Sequence, residues 1–269
     1  MKLVPGGRAI AIMYHDVVTG EPASSGFAGP GADIYKLERD EFGAHLDGLR
    51  VAPSTVDGGG LATRAKPESA WPVFLTFDDG GVSAHTHVAP LLEARGWRGI
   101  FFITTDRIGT RGFLDAEQIR DLARRGHVIG SHSCSHPRRI SDCSGDELRH
   151  EWADSVAILS EILRAPVETA SVPGGFYSAA VGAAASRAGI RVLFTSEPTM
   201  RIASIEDCIL IGRYGVWRGM PTAITGRIAA GERAPRWRQS AWWTIKKAAK
   251  SIPGDPYAKV RGLLLARRA

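Results

Sequence analysis

Seven short runs rich in β-branched and aromatic residues recur along this chain: AIAIMYHDV (9–17), VFLTFDD (73–79), GIFFITT (99–105), HVIGSHS (127–133), VETASVPGG (167–175), RVLFTS (191–196) and ILIGRYGV (209–216). The segments between them carry a helical period. In 144–164, Leu148, Trp152, Leu159 and Leu163 share one face, and Ser144 with Glu147 has the spacing of a capping box. Strands that alternate with helices are joined by crossovers rather than hairpins, so they run parallel. The pattern predicts an α/β fold, a distorted (β/α) barrel of about seven parallel strands that is closed or nearly closed. Chemistry in such a barrel gathers at the C-terminal strand ends. Two Gly/Pro/Ser-rich stretches, 18–33 and 51–70, are long enough to serve as lids or binding loops.

With 269 residues, 44% of them hydrophobic, the chain can build one large core and carry an appendage. Three cysteines, none in a CxxC pair, exclude a disulfide framework and suggest a reducing compartment. Pro5-Gly6-Gly7 and Arg8 interrupt the region where a signal peptide needs an unbroken apolar stretch, and no run is long enough to span a bilayer. The expectation is a cytoplasmic protein. Its net charge of +6 is uneven, because eleven Lys and Arg face two acids from Arg227 to the end. This divides the chain into a body, 1–226, and a basic Trp-rich extension, 227–269. Trp237, Trp242 and Trp243 are interleaved with cations there, and Ser240 can cap a helix that turns Lys246, Lys247 and Lys250 away from much of Trp242 and Ile245. That layout suits an anionic membrane interface on the inner face of the membrane better than nucleic acid. Packing against the barrel is the alternative.

At the end of the second strand, Asp78 and Asp79 stand side by side before Gly80-Gly81, and their repulsion must be offset. A turn with a helix cap is the simplest use of such a sequence. The fourth strand, however, ends in SHSCSH, which brings His132 and His136 to the same rim. Two histidines and a carboxylate can hold one divalent cation with coordination positions left open for water and substrate. A cation is then what offsets the paired acids.

With these residues in place, the chain resembles the polysaccharide deacetylases, also called NodB-homology or carbohydrate esterase family 4 enzymes. The likeness runs through IMYHDV, FLTFDDG, GIFFITTDRIGTRGFLDAEQI, GHVIGSHSCSHP and SVPGGFYS, across roughly residues 9–216. The resemblance implies a barrel of fewer than eight strands. It makes Asp78 the catalytic base and Asp79, His132 and His136 the metal ligands, with zinc as the expected ion. It also assigns the backbone N–H of Gly174, between Pro173 and Gly175, to the oxyanion of an attacked amide.

Two departures stand out. The family's arginine two residues before the proline, which orients the base, is Ser171 here, and Arg213 in IGRYGV is the candidate replacement. The family's late histidine, in a Leu-x-x-His motif, has no counterpart, since no histidine follows His150. His15 is the candidate general acid, with proton return through Asp78 as the fallback. Tyr14, Phe176, Tyr177 and Trp217 are candidates for stacking on sugar rings, whereas Cys134 between the histidines is read as a packing residue. The expected activity is metal-dependent removal of an N-acyl group, most simply acetyl, from a sugar or sugar-containing intermediate. A deformylase or amidase on another C–N bond, or a catalytically silent carbohydrate- or membrane-binding paralogue, are the alternatives.

Overall fold

The computed structural model describes residues 2–49, 51–55 and 70–250, with only the backbone described over 246–250. The strands are β1 (Ile10–Tyr14), β2 (Val17–Val18), β3 (Leu37–Glu38), β4 (Val73–Phe77), β5 (Ile100–Ile103), β6 (Val128–Ser131), β7 (Thr169–Ser171), β8 (Val192–Phe194), β9 (Ala203–Ile205), β10 (Cys208–Ile211) and β11 (Arg213–Gly215). One sheet has the order β11-β1-β4-β5-β6-β7-β8-β10-β9, parallel throughout except for the antiparallel β9 on β10. The short β2 and β3 pair separately. The first strand of that order, β11, is joined covalently through Gly212 to β10, the last but one, so that β10 pairs with β8 while β11 pairs with β1. The last of the seven expected strands is therefore one broken strand that closes the barrel. Its break requires glycine, since a Cβ at Gly212 would lie 2.2 Å from the Glu197 carbonyl oxygen.

Strict alternation divides the core. Ala11, Phe74, Ile100, Phe102, Val192, Phe194, Ile209 and Ile211 pack in one cluster drawn from alternate strand positions, which is the barrel interior. The intervening Ile10, Ile12, Leu75, Phe77 and Phe101 face outward, where Phe42, Leu92, Ile119 and Leu159 of the surrounding helices cover them. Gly130 leaves the interior room for Phe102, whose ring would come within 2.7 Å of a Cβ there.

The helical segment expected over 144–164 forms, with the Ser144 capping box in place, but it contains a π turn at His150–Asp154. Loop 18–33 folds over the C-terminal strand ends; of loop 51–70, residues 56–69 lie outside the described residues.

The boundary after residue 226 falls inside a helix, Thr222–Ala229, whose Gly226 packs against the Gly48 carbonyl. The helix Arg233–Lys250 then lies on the barrel: Gln239 Nε2 donates to the Gly215 carbonyl at 3.1 Å and Ser240 Oγ donates to the Pro198 carbonyl at 2.6 Å. Ser240 is thus a mid-helix residue rather than a cap. The extension begins as part of the body, and residues 251–269 lie outside the described residues. Among the described residues, no helix is long and apolar enough to cross a membrane.

Candidate active site

Period-two alternation carries Phe74 and Thr76 inward and brings Asp78, just past the end of β4, to the same interior line. The same alternation continues Ile209 and Ile211 to Arg213, which is fully buried. Its guanidinium grips the Asp78 carboxylate with both arms, at 2.6 Å and 2.8 Å, and donates through Nε to the Thr195 carbonyl at 3.1 Å. Ser171 Oγ donates to Asp78 Oδ1 at 3.0 Å. Burial alone would push the Asp78 carboxyl up, but Arg213 and His132 beside it more than reverse this and hold it well below the usual carboxylate range. Arg213, the candidate replacement for the arginine absent at Ser171, therefore pairs directly with Asp78. All three of its guanidinium nitrogens donate to Asp78, Thr76 or Thr195. Leu210-Ile211-Gly212-Arg213 also has the Leu-x-x-His spacing, with arginine in the histidine's place.

Asp79 would face outward if alternation continued. Instead its backbone turns left-handed, at φ 76°, and Gly80 follows at φ 80° with Ile103 packed closely against it. This turn swings the second carboxylate back towards β6. Past β6, Ser133 (φ 65°) and His136 (φ 58°) are left-handed as well. Such conformations are costly for residues with a Cβ and persist where surroundings hold them. Here the support is Glu151, buried by the π turn, which accepts from Cys134 N (2.9 Å), Ser135 N (3.0 Å) and Ser135 Oγ (2.6 Å).

The result is a trio. Asp79 Oδ1 lies 3.5 Å from His132 Nε2 and 3.7 Å from His136 Nε2, and the candidate ligand atoms all lie within 4.8 Å of one another. His132 Nδ1 faces the Ser171 carbonyl at 3.1 Å and Ser171 Oγ at 2.6 Å. A carbonyl can only accept, so Nδ1 carries the proton and Nε2 presents its lone pair to the trio. Burial works against protonation of His132, yet Asp78 and Asp79 prevail and raise its pKa above the ordinary imidazole value. Burial and the neighbouring His132 lower that of His136. Two imidazole nitrogens and a carboxylate oxygen, convergent and otherwise unbalanced, fit a divalent cation of the zinc type.

Asp78 and the trio lie in a cleft of about 540 Å³. Gly174, in a left-handed turn at φ 60°, lines it, as does Gly175, which packs beneath Trp243. Pro173 is buried and is not part of the cleft lining. His15 reaches the cleft and stacks on Tyr35 with centroids 4.8 Å apart. Its buried Nδ1 makes no hydrogen bond. Phe27, from loop 18–33, packs on His136 with centroids 5.0 Å apart.

Among the aromatic candidates, Phe176 lines the cleft, Tyr14 and Tyr177 pack in the core, and Trp217 lines a neighbouring pocket. Cys134 is buried, and burial pushes its thiol up to about 11, as befits a packing residue. Sequence reasoning missed three contributors. Ser171 links base to ligand, Glu151 holds the histidine loop, and Trp243 from the basic extension forms part of the cleft wall.

The profile of the family described as polysaccharide deacetylase matches residues 65–193, which include both the acid pair and the histidine pair. Over these residues, just under half of its length, the chain is similar to that family. YxkH of Bacillus subtilis, whose name places it with the polysaccharide deacetylases, is 25% identical over 193 residues, covering 70% of this chain and 64% of that protein. A peptidoglycan-N-acetylglucosamine deacetylase of Bacillus cereus is 26% identical over 51% of this chain and 62% of its own length. The chain thus spans less than two thirds of each of these relatives. Among solved structures, the deacetylase PplD of Streptococcus pyogenes (18% identity, TM-score 0.64) covers 81% of this chain and 96% of its own. IcaB of Ammonifex degensii (22% identity, TM-score 0.64) covers 84% and 97%. At these identities the solved structures share the fold.

Proposed function

We propose that this protein is a metal-dependent hydrolase that removes the N-acetyl group of an amino sugar. The observation that carries this reading is the division of two adjacent buried acids. Asp78 is clamped by Arg213 and kept ionised, while Asp79 converges with His132 and His136. A divalent cation, zinc by the donor set, would be held by Asp79, His132 and His136 and would polarise both a water and the acyl carbonyl. Asp78, ionised and fixed in direction, takes the proton of the attacking water. The Gly174 N–H, in a left-handed turn at the cleft, donates to the oxyanion. Arg213 stays charged at any physiological pH and so serves as a positioning residue rather than an acid. The proton for the departing amine comes from His15 or returns from Asp78.

The named activity of the Bacillus cereus relative makes N-acetylglucosamine the natural first substrate to try. Hydrolysis of N-acetylglucosamine oligomers by the zinc-loaded protein, followed by mass spectrometry, tests the reading: acetate and a free amine are expected, and an unchanged panel with metal bound would refute it. Peripheral contact with an anionic membrane rests on the outward side of the last helix, where Trp237 and Ile245 are 71% and 60% exposed. Salt-sensitive sedimentation with anionic liposomes checks that contact.

A further inference from the structure

Asp16, which follows His15 just past the end of β1, is a buried acid with no part in the chemistry above, and it is only 2% exposed. Its Oδ1 accepts from two hydroxyls, Ser25 Oγ at 2.6 Å and Ser83 Oγ at 2.7 Å. The buried Oδ2 makes no hydrogen bond. Gly26 and Gly81 press on the same carboxyl group, and a Cβ at either would collide with it. Burying a carboxyl group is costly unless it is fully hydrogen-bonded, and half of this one is not, so packing alone does not account for the residue.

The two serines lead to different metal-ligand candidates. Ser83 lies four residues after Asp79, beyond the left-handed turn at Asp79 and Gly80, and its hydroxyl also accepts from Val17 N at 3.1 Å. Ser25 Oγ accepts from Ser83 N at 2.9 Å, and Ser25 lies two residues before Phe27, whose ring packs on His136. Phe27 is held in place by Phe113, with centroids 5.1 Å apart, and by the Arg107 guanidinium, 5.4 Å from its centroid. Asp16 therefore stands where the path from Asp79 meets the path from His136.

We propose that Asp16 is a positioning residue for the metal site, which fixes the Asp79 turn against the Phe27 support of His136. The proposal rests on the reading of Asp79, His132 and His136 as the ligands. Asp79 comes from the end of β4 and His136 from beyond β6, and ligands on separate loops bind a cation less tightly when binding must also order them. His132 is oriented by Ser171, and Glu151 holds the chain just before His136. Asp16 adds the tie across to Asp79. Because Oδ1 alone carries both bonds, an amide oxygen can take its place. The Gly112 carbonyl joins the same two segments independently, accepting from Gly26 N at 2.8 Å and Val82 N at 2.9 Å, so Asp16→Ala loosens them without unfolding the barrel.

The experiment measures zinc affinity of the full chain by competition with a chromophoric chelator, alongside a thermal melt of the metal-free protein. Asp16→Ala should weaken zinc binding by about tenfold or more, as is usual for residues that orient metal ligands, and Asp16→Asn should recover most of the loss. Ser25→Ala and Ser83→Ala should each give a smaller loss, and neither should add to that of Asp16→Ala. Thr225→Val removes a buried hydroxyl bonded to His45 Nδ1 at 2.7 Å, outside the cleft lining, and should lower the melting temperature with zinc affinity unchanged. Wild-type affinity in Asp16→Ala would overturn the proposal and leave the ligand set intact. Asp16→Asn as weak as Asp16→Ala would overturn it in favour of a role for the charge. Should Asp16→Ala fail to fold, wild-type affinity in both serine variants overturns it equally. A wild type that takes up no zinc would remove the reading of the ligands, and the proposal with it.

Discussion

Asp78 and Asp79 are neighbours in the chain, both buried to within 7% of full exclusion, and they belong to two different machines. Asp78 continues the regular alternation of β4 into the barrel and meets a full positive charge that the fold itself supplies, Arg213. Asp79 leaves that alternation through a left-handed turn and meets two imidazoles, only partly able to balance it. One acid is compensated by the protein and the other awaits compensation by a ligand. Charge burial is tolerated at the first because the ion pair is bidentate and its remaining donors and acceptors are satisfied. At the second, the proposed cation would complete the set.

The comparison predicts where damage should fall. The largest effect is expected on the ligand side: Asp79→Ala should abolish bound metal and turnover together, read by elemental analysis and by assay of the same sample. Retention of stoichiometric metal would break the ligand assignment. Next comes the clamp. Arg213→Gln leaves a buried carboxylate without its partner, a change that costs about 3–5 kcal/mol of stability in comparable sites. The same loss lets burial raise the Asp78 pKa, since Arg213 is the foremost group lowering it. The base must be ionised to act, so the acid limb of the pH–rate profile should move upward in this variant. A melt and profile identical to the wild type would show that the clamp is idle.

Smaller effects sharpen the ligand side. Without metal, His132 keeps a second proton to higher pH than an ordinary imidazole, because Asp78 and Asp79 outweigh burial and raise its pKa. Metal entry must expel that proton, so apparent zinc affinity should fall as pH is lowered through the raised value, with proton release measurable by calorimetry in buffers of different ionisation heat. PH-independent affinity would contradict this. The smallest change is expected from His15→Ala, which should lower kcat with metal content intact and flatten the limb that reports the acid. An unaltered profile assigns the proton to Asp78.

Much of this was legible in the sequence, and the physical reason is periodicity. Seven apolar runs and their helical partners define the barrel, and strand-end position brings Asp78, Asp79, His132 and His136 to one rim, where left-handed turns at Asp79, Ser133 and His136 converge the trio. Arg213 was legible as a candidate because it keeps step with Ile209 and Ile211, although its bidentate grip on Asp78 depends on how Gly212 breaks and closes the barrel. Ser171 looked like a loss, since a missing arginine says nothing of a hydroxyl that reaches both base and ligand. Glu151 was hidden for another reason: a π turn shifts helical phase by one residue, and no apolar period shows it. The composition of the extension shows its cations but not its contacts. Its cations drew the reading outward, while Gln239, Ser240 and Trp243 turn that helix onto the barrel and into the cleft wall.

The central claim is the separation of the two acids, and Asp78→Asn tests it most directly, because asparagine keeps the shape and removes only the basic charge. Metal content and turnover should be measured on one preparation loaded with zinc. The account predicts wild-type metal stoichiometry with turnover lowered by at least about a hundredfold, the range over which a positioned general base contributes. Turnover near the wild-type value, or loss of the metal along with the charge, would contradict it.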